Sequence, residues 1–186
     1  MLLKRLGAFF LDILEVIVFA IAFFLFLYLL VFQPHRIKGS SMDPNFKDAE
    51  YLLTDKVSYR FNEPKRGDVI VFKAPGLEGE EFIKRIIGLP GEQISINQNK
   101  IYINGEILNE EYISSDKYTG SGAFLEEGKT ILIPEDNYFV LGDNRPHSSD
   151  SRSWGFVPKN DISGKAWFVY WPISNLGTVE DINYNL

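Results

Sequence analysis

Residues 68–73 read DVIVFK and residues 82–89 read FIKRIIGL. Both are short runs of β-branched and aromatic residues bounded by Gly, Pro and charged residues, the pattern of a strand rather than a helix. Working outward, residues 94–96, 101–103, 130–133, 138–141 and 166–171 repeat it. Asn104-Gly105 is a two-residue hairpin signal, because both positions tolerate the positive φ of a type I′ turn. Residues 97–100 read as another reversal. No amphipathic helix of three turns stands out after residue 33. The expected fold is therefore mainly β, a strongly bent or partly closed sheet.

Upstream the pattern changes. Val16 to Phe32 reads VIVFAIAFFLFLYLLVF, without a charge, Gly, Pro or amide. A bilayer core about 30 Å thick asks for ~20 apolar residues, with ~17 as a lower limit. Extension through Ile13 and Leu14 admits Glu15 at the interface. No polar stripe at a 3.6-residue period marks a soluble core helix. The run exceeds a normal signal-peptide h-region, and Gln33-Pro34-His35-Arg36 offers no small-x-small cleavage site. The reading is an uncleaved transmembrane helix within residues 1–32, followed by one β-rich domain over 33–186. Lys4 and Arg5 precede the span while Arg36 and Lys38 follow it, so basic residues are level and charge leaves the orientation open.

The 186 residues are 45% apolar and include 15 Phe, 9 Tyr and 3 Trp, which excludes a disordered chain. The absence of Cys excludes a disulfide scaffold, a thiolate zinc site and a cysteine nucleophile. Two His argue against a histidine metal site; no metal and no cofactor are expected. The formal charge of -6 has the wrong sign for a nucleic-acid partner. Lys4 and Arg5 cancel Asp12 and Glu15, so that charge belongs to residues 33–186.

Three segments could carry chemistry, and each has a plain alternative. Residues 37–45, IKGSSMDPN, read as a polar linker or as a serine nucleophile on an extended segment beside the membrane. Lys84 shares a strand face with Phe82 and Ile86. It is either a snorkelling side chain or an amine desolvated enough to act as a base. Residues 142–158, GDNRPHSSDSRSWGFVP, are either a solvated loop with local ion pairs or a polar network that positions that amine.

Taken together the segments resemble the bacterial type I signal peptidases, membrane-anchored serine proteases. The resemblance covers nearly the whole chain: an anchor, then Gly-x-Ser-Met-x-Pro in residues 39–44, Arg-Gly-Asp-Val-x-Val-Phe in 66–72, Lys-Arg-x-x-Gly-x-Pro-Gly in 84–91, and Gly-Asp-Asn-Arg-x-x-Ser-x-Asp-Ser-Arg in 142–152. Four motifs in order are far more specific than one, and the length is similar to that of compact, single-span Gram-positive-style members. The resemblance implies a nucleophile at Ser41, a general base at Lys84, and Ser148 orienting that lysine. It implies a supporting network of Asp143, Arg145, Asp150 and Arg152. Ile37, Met42, Phe82 and Ile83, in the matched motifs, are candidate walls of substrate pockets for small side chains. The implied partners are signal-peptide-bearing preproteins and the lipid bilayer, with the catalytic domain on the extracytoplasmic side of the cell membrane. Three positions depart from the family pattern. Asn45 stands where Thr is usual, Gly39 stands where some members have an oxyanion-binding Ser, and Glu92 stands for the common Asp.

Overall fold

The computed structural model describes residues 2–113, 118–182 and 184, and for residues 2–5 and 8 the backbone alone. The side chains of Lys4 and Arg5, the basic flank of the span, thus lie outside the described residues. Helix α1 covers Leu2–Val31. Its apolar part, Phe9–Val31, has 23 residues with a mean hydropathy of 2.8 and no part buried against the rest of the chain. At ~1.5 Å per residue that length matches a bilayer core of about 30 Å. The apolar part starts at Phe9 rather than Val16 because Asp12 and Glu15 are carried within it.

No linker follows. Helix α1 runs directly into strand β1 (Phe32–Arg36), so Phe32, the last residue of the expected anchor segment, also opens the sheet. The Lys56 N–H donates to the Val31 carbonyl at 2.9 Å. Phe32 stacks on Trp167 with ring centroids 4.7 Å apart.

Two antiparallel sheets follow. The larger is built from β1, β2 (Tyr51–Asp55), β3 (Val69–Lys73), β4 (Glu81–Gly88), β9 (Asn137–Leu141), β10 (Val157–Pro158), β11 (Ile162–Trp171) and β12 (Gly177–Thr178). Its order is β1-β2-β11-β3-β4-β9-β10, with β12 also on β11. The smaller, in the order β7-β6-β5-β8, uses β5 (Gln93–Asn97), β6 (Lys100–Ile103), β7 (Glu106–Ile107) and β8 (Thr130–Leu132). Both hairpin signals form. Gln98 and Asn99 take φ of 49° and 64° between β5 and β6, and Asn104 takes φ of 52° between β6 and β7. Two four-residue helices, α2 (Ser58–Phe61) and α3 (Ser151–Trp154), complete the regular α structure among the described residues.

The large sheet is strongly bent. Three strands separate β1 from β4 in its order, which at ~4.8 Å per strand would hold them ~19 Å apart if flat. Yet His35 Nδ1 on β1 lies 3.3 Å from Glu81 Oε2 on β4. Strand β11 carries register shifts at Ala166/Phe168 and Val169/Trp171, irregularities that increase local twist.

The bend leaves β3 buried on both faces, which is why DVIVFK is continuously apolar instead of alternating. Val69 and Val71 pack with Ile37, Met42, Phe46 and Leu52 under the 37–50 loop. Ile70 and Phe72 pack on the other face with Ile86, Tyr138 and Val140. A third core joins the small sheet to β4 and β9 through Ile87, Ile94, Ile96, Ile101, Ile103 and Phe139. Gly88 permits that junction, because a Cβ there would overlap Ile133 Cδ1.

Candidate active site

The 37–50 loop is shaped by a few specific bonds. Ile37 N–H donates to Glu50 O at 2.8 Å and Ala49 N–H to Ile37 O at 3.0 Å, closing its base. Gly39 takes φ of +85°, a left-handed conformation that favours glycine, and its N–H donates to Asp48 Oδ1 at 2.7 Å. Met42, 1% exposed, and Phe46 sink into the core below. From the far side Asn144 clamps the turn, its N–H donating to Ser41 O and its side-chain amide to Ser40 O, each at 3.0 Å. Ser41 is held half-buried between these supports while Ser40 faces solvent.

Lys84 comes from β4, opposite this loop. Its Nζ donates to Ser41 Oγ at 2.8 Å and to the Ile83 carbonyl at 3.0 Å. The residue is 4% exposed. Burial lowers the amine's pKa from 10.5 to about 8, against the opposing pull of the Asp150 and Asp143 carboxylates. The Phe82 ring lies 5.4 Å from Nζ, in keeping with a shared strand face. An amine of this kind is partly neutral near physiological pH and sits within reach of a hydroxyl proton.

Ser148 is close to this pair but is not bonded to Lys84. A Cβ at Gly142 would overlap both Ser148 Oγ and the Ser41 carbonyl oxygen, which places the Ser148 side chain beside the Ser41 backbone. Its Oγ is buried and has no hydrogen-bond partner among the described residues. The Ser148–Lys84 bond that the resemblance implies is not formed among the described residues. The amine satisfies itself on Ser41 Oγ and on the carbonyl of its own strand neighbour.

The charged residues of the 142–152 segment are inside the protein rather than on a solvated loop. Asp143, Arg145, Asp150 and Arg152 are all buried. Only Asp150 and Arg152 pair locally, at 2.8 and 2.9 Å, and Asp150 Oδ2 also accepts the Gly142 N–H. Asp143 instead takes a bidentate Arg85, at 2.9 and 2.7 Å, and the Asn45 amide at 2.8 Å. Arg145 reaches Glu110 at 2.8 Å and the Tyr112 hydroxyl at 2.9 Å. Arg85, Asn45, Glu110 and Tyr112 are thus members of the network that sequence reading did not single out. Strand alternation turns Arg85 away from Lys84, a signal that was available; the Glu110 partnership spans 35 positions and had none.

A cleft of about 520 Å³ opens between β1 and β4. Ser41 and Lys84 stand in it beside Ile37, Phe82 and Ile83, with Leu52 and Val71 from the intervening strands. Met42 does not line it; the side chain is buried beneath the loop. His35 and Glu81 join across the same cleft. His35 has its pKa lowered by burial, partly offset by Glu81. Among the described residues no cluster of His, Asp and Glu could hold a metal ion.

A buried lysine bonded to a serine hydroxyl thus lines a mixed polar and apolar cleft whose β1 wall continues from a membrane-length helix. Residues 10–171 match the family model described as signal peptidase, peptidase S26, and the chain belongs to that family. It is 40% identical over 155 residues to "Signal peptidase I" of Leptolyngbya laminosa, covering 79% of this chain and 72% of that one. Against "Probable signal peptidase I-2" of Synechocystis sp. it is 38% identical, covering 81% and 68%. "Signal peptidase IB" of Staphylococcus aureus is 34% identical, covering 88% and 92%. A crystal structure of a signal peptidase I from Enterococcus faecalis is 36% identical, with a TM-score of 0.47 over 56% of this chain and 97% of that one.

Proposed function

We propose that this chain is a membrane-anchored serine endopeptidase that removes N-terminal signal peptides from exported preproteins, with Ser41 as nucleophile and Lys84 as general base. The observation that carries the reading is the 2.8 Å bond between a buried Lys84 amine and Ser41 Oγ. Residues 1–32 supply the anchor and 33–186 the catalytic part, which acts on the extracytoplasmic side.

In the proposed reaction Ser41 Oγ attacks the scissile carbonyl as neutral Lys84 takes its proton. The ammonium then protonates the leaving amine. A water that gives its proton to Lys84 next hydrolyses the acyl-enzyme, returning Ser41. The Ser41 N–H serves the oxyanion, because Gly39 has no hydroxyl and its own N–H is committed to Asp48. Ser148 Oγ is the spare acceptor that steadies the amine once the Ser41 bond breaks, and its lack of a partner supports that role. Asp143, Arg145, Asp150 and Arg152 hold the Gly142 turn against the Ser41 loop. Ile37, Phe82 and Ile83 shape shallow apolar pockets, with Leu52 and Val71 in the same cleft. In an extended substrate the first and third residues before the cut share a face, so small side chains are preferred at both.

The test is acylation of the full chain by a 5S-penem, followed by intact mass and peptide mapping. The reading requires a single adduct on Ser41 that is lost in Lys84→Ala and kept in Ser40→Ala. An adduct on Ser40, or one that persists in Lys84→Ala, contradicts it.

A further inference from the structure

A second cavity, of about 350 Å³, lies between α2 and the start of β11, within the ~300–1,000 Å³ range of small-ligand sites. Lys56, Arg60 and Lys159 converge on it, with Asn160 beside them, and no carboxylate residue is among its lining. Lys159 is neutralised by Glu63 at 2.6 Å. Lys56 and Arg60 have no carboxylate within 4.0 Å among the described residues. In a chain of net charge -6, two cations in one cavity with no acidic partner among the described residues call for an anion.

Its position says where that anion comes from. The Lys56 backbone N–H bonds to Val31 O, the last residue of α1, so the cavity opens where the membrane-length helix ends. Phe61, next to Arg60, is 81% exposed, a whole aromatic ring turned outward from the fold. A cationic pair followed by an outward Phe at the end of a span matches the two layers of a leaflet, phosphate above and acyl chain below.

We propose that Lys56 and Arg60 bind the phosphate of an anionic glycerophospholipid, with Phe61 inserted among its acyl chains. Arg60 supplies planar, fork-like donors and Lys56 a compact point charge. The bound headgroup would fix the height of the β1–β4 cleft above the bilayer, because β1 continues from α1 and pairs with the strand that leads to Lys56. The site stands apart from Ser41 and Lys84, so its success or failure is independent of the proposed chemistry.

The experiment is lipid binding to the full chain in neutral detergent, counted by native mass spectrometry. Phosphatidylglycerol and phosphatidylcholine of matched acyl chains are titrated separately, and inorganic phosphate is added as competitor. The expected result is one retained phosphatidylglycerol, bound roughly 30-fold tighter than phosphatidylcholine, as two cations near an anionic surface would give. Lys56→Gln with Arg60→Gln should erase that preference, Lys56→Arg with Arg60→Lys should keep it, and Phe61→Ala should weaken it. Equal retention of the two lipids overturns the proposal. So does a glutamine variant that melts normally and still prefers phosphatidylglycerol. Displacement of the lipid by equimolar phosphate makes this a free-anion site and also overturns it.

Discussion

Asp143 stands between Arg85 and Asn45, its carboxylate 2.7 Å from the guanidinium and 2.8 Å from the amide. One buried carboxylate thus ties β4, which carries Lys84, to the loop that carries Ser41. Asn45, at the position where the family pattern has Thr, donates to Asp143 and also to the Tyr112 carbonyl at 3.2 Å.

Asp143→Asn should be severely destabilising. Arg85, 3% exposed, would keep its charge and lose its counter-ion, a change that costs about 3–5 kcal/mol at buried pairs. Asn45→Ala removes one hydrogen bond to a charged group and should cost ~1.5–3 kcal/mol. Thermal and urea melts of both variants check the ranking, and the reverse order would show that Asp143 is not the hub.

Gly142→Ala should lose activity well beyond its effect on stability. The new methyl would meet Ser148 Oγ and the Ser41 carbonyl oxygen, and the Ser41 side cannot yield without moving the loop. A displacement of about 1 Å at reacting atoms can cost ~10²-fold. Peptide cleavage close to the parent rate would contradict the packing described.

Ser148→Ala separates orientation from stability. The hydroxyl is buried and makes no bond among the described residues, so its removal breaks nothing and should leave the melting temperature unchanged or slightly raised. Turnover should nonetheless fall about tenfold, less than the ~10²–10⁴-fold of proton transfer itself, because Ser148 only positions the amine that moves the proton. A drop in stability with normal turnover would reverse the assignment.

The strands around the site are legible because their apolar runs are short and their turns carry Asn-Gly and Gln-Asn. DVIVFK and FIKRIIGL form β3 and β4 nearly residue for residue. Strand β1 gives no such signal. FQPHR contains a proline and only one large apolar residue, and it forms a strand only because α1 delivers it to the sheet edge. Burial of Lys84 follows from alternation, whereas the pairing of Asp143 with Arg85 depends on the β4–β9 register, which sets Arg85 opposite Leu141, and spans 58 positions. Local charge spacing suggests partners within the 142–152 segment, which holds for Asp150 and Arg152 alone. Met42 shows a related limit: a motif tells which residues adjoin the serine, not which of them face the cleft.

Lys84→Met should abolish cleavage and stabilise the fold near neutral pH. With its folded pKa near 8 and an unfolded value of 10.5, the amine binds fewer protons in the folded state between those values. Stability therefore rises with pH across that window, and the full cost of the buried charge is felt below pH 8. The methionine variant removes this slope. Chemical melts near pH 7 and about pH 10 should bring the two proteins closer together at the higher pH, and a parent stability that falls across the window would be the wrong sign.

If a desolvated Lys84 is the base, its titration must show in the pH dependence of single-turnover peptide cleavage. The rate should rise along one ionisation with a midpoint at about 8, the value that burial gives the amine, and then level off. Lys84→Arg should be inactive throughout, because a guanidinium stays protonated. A rate that climbs only as pH passes about 10.4, where an ordinary lysine titrates, would mean that Lys84 is not desolvated and is not the base.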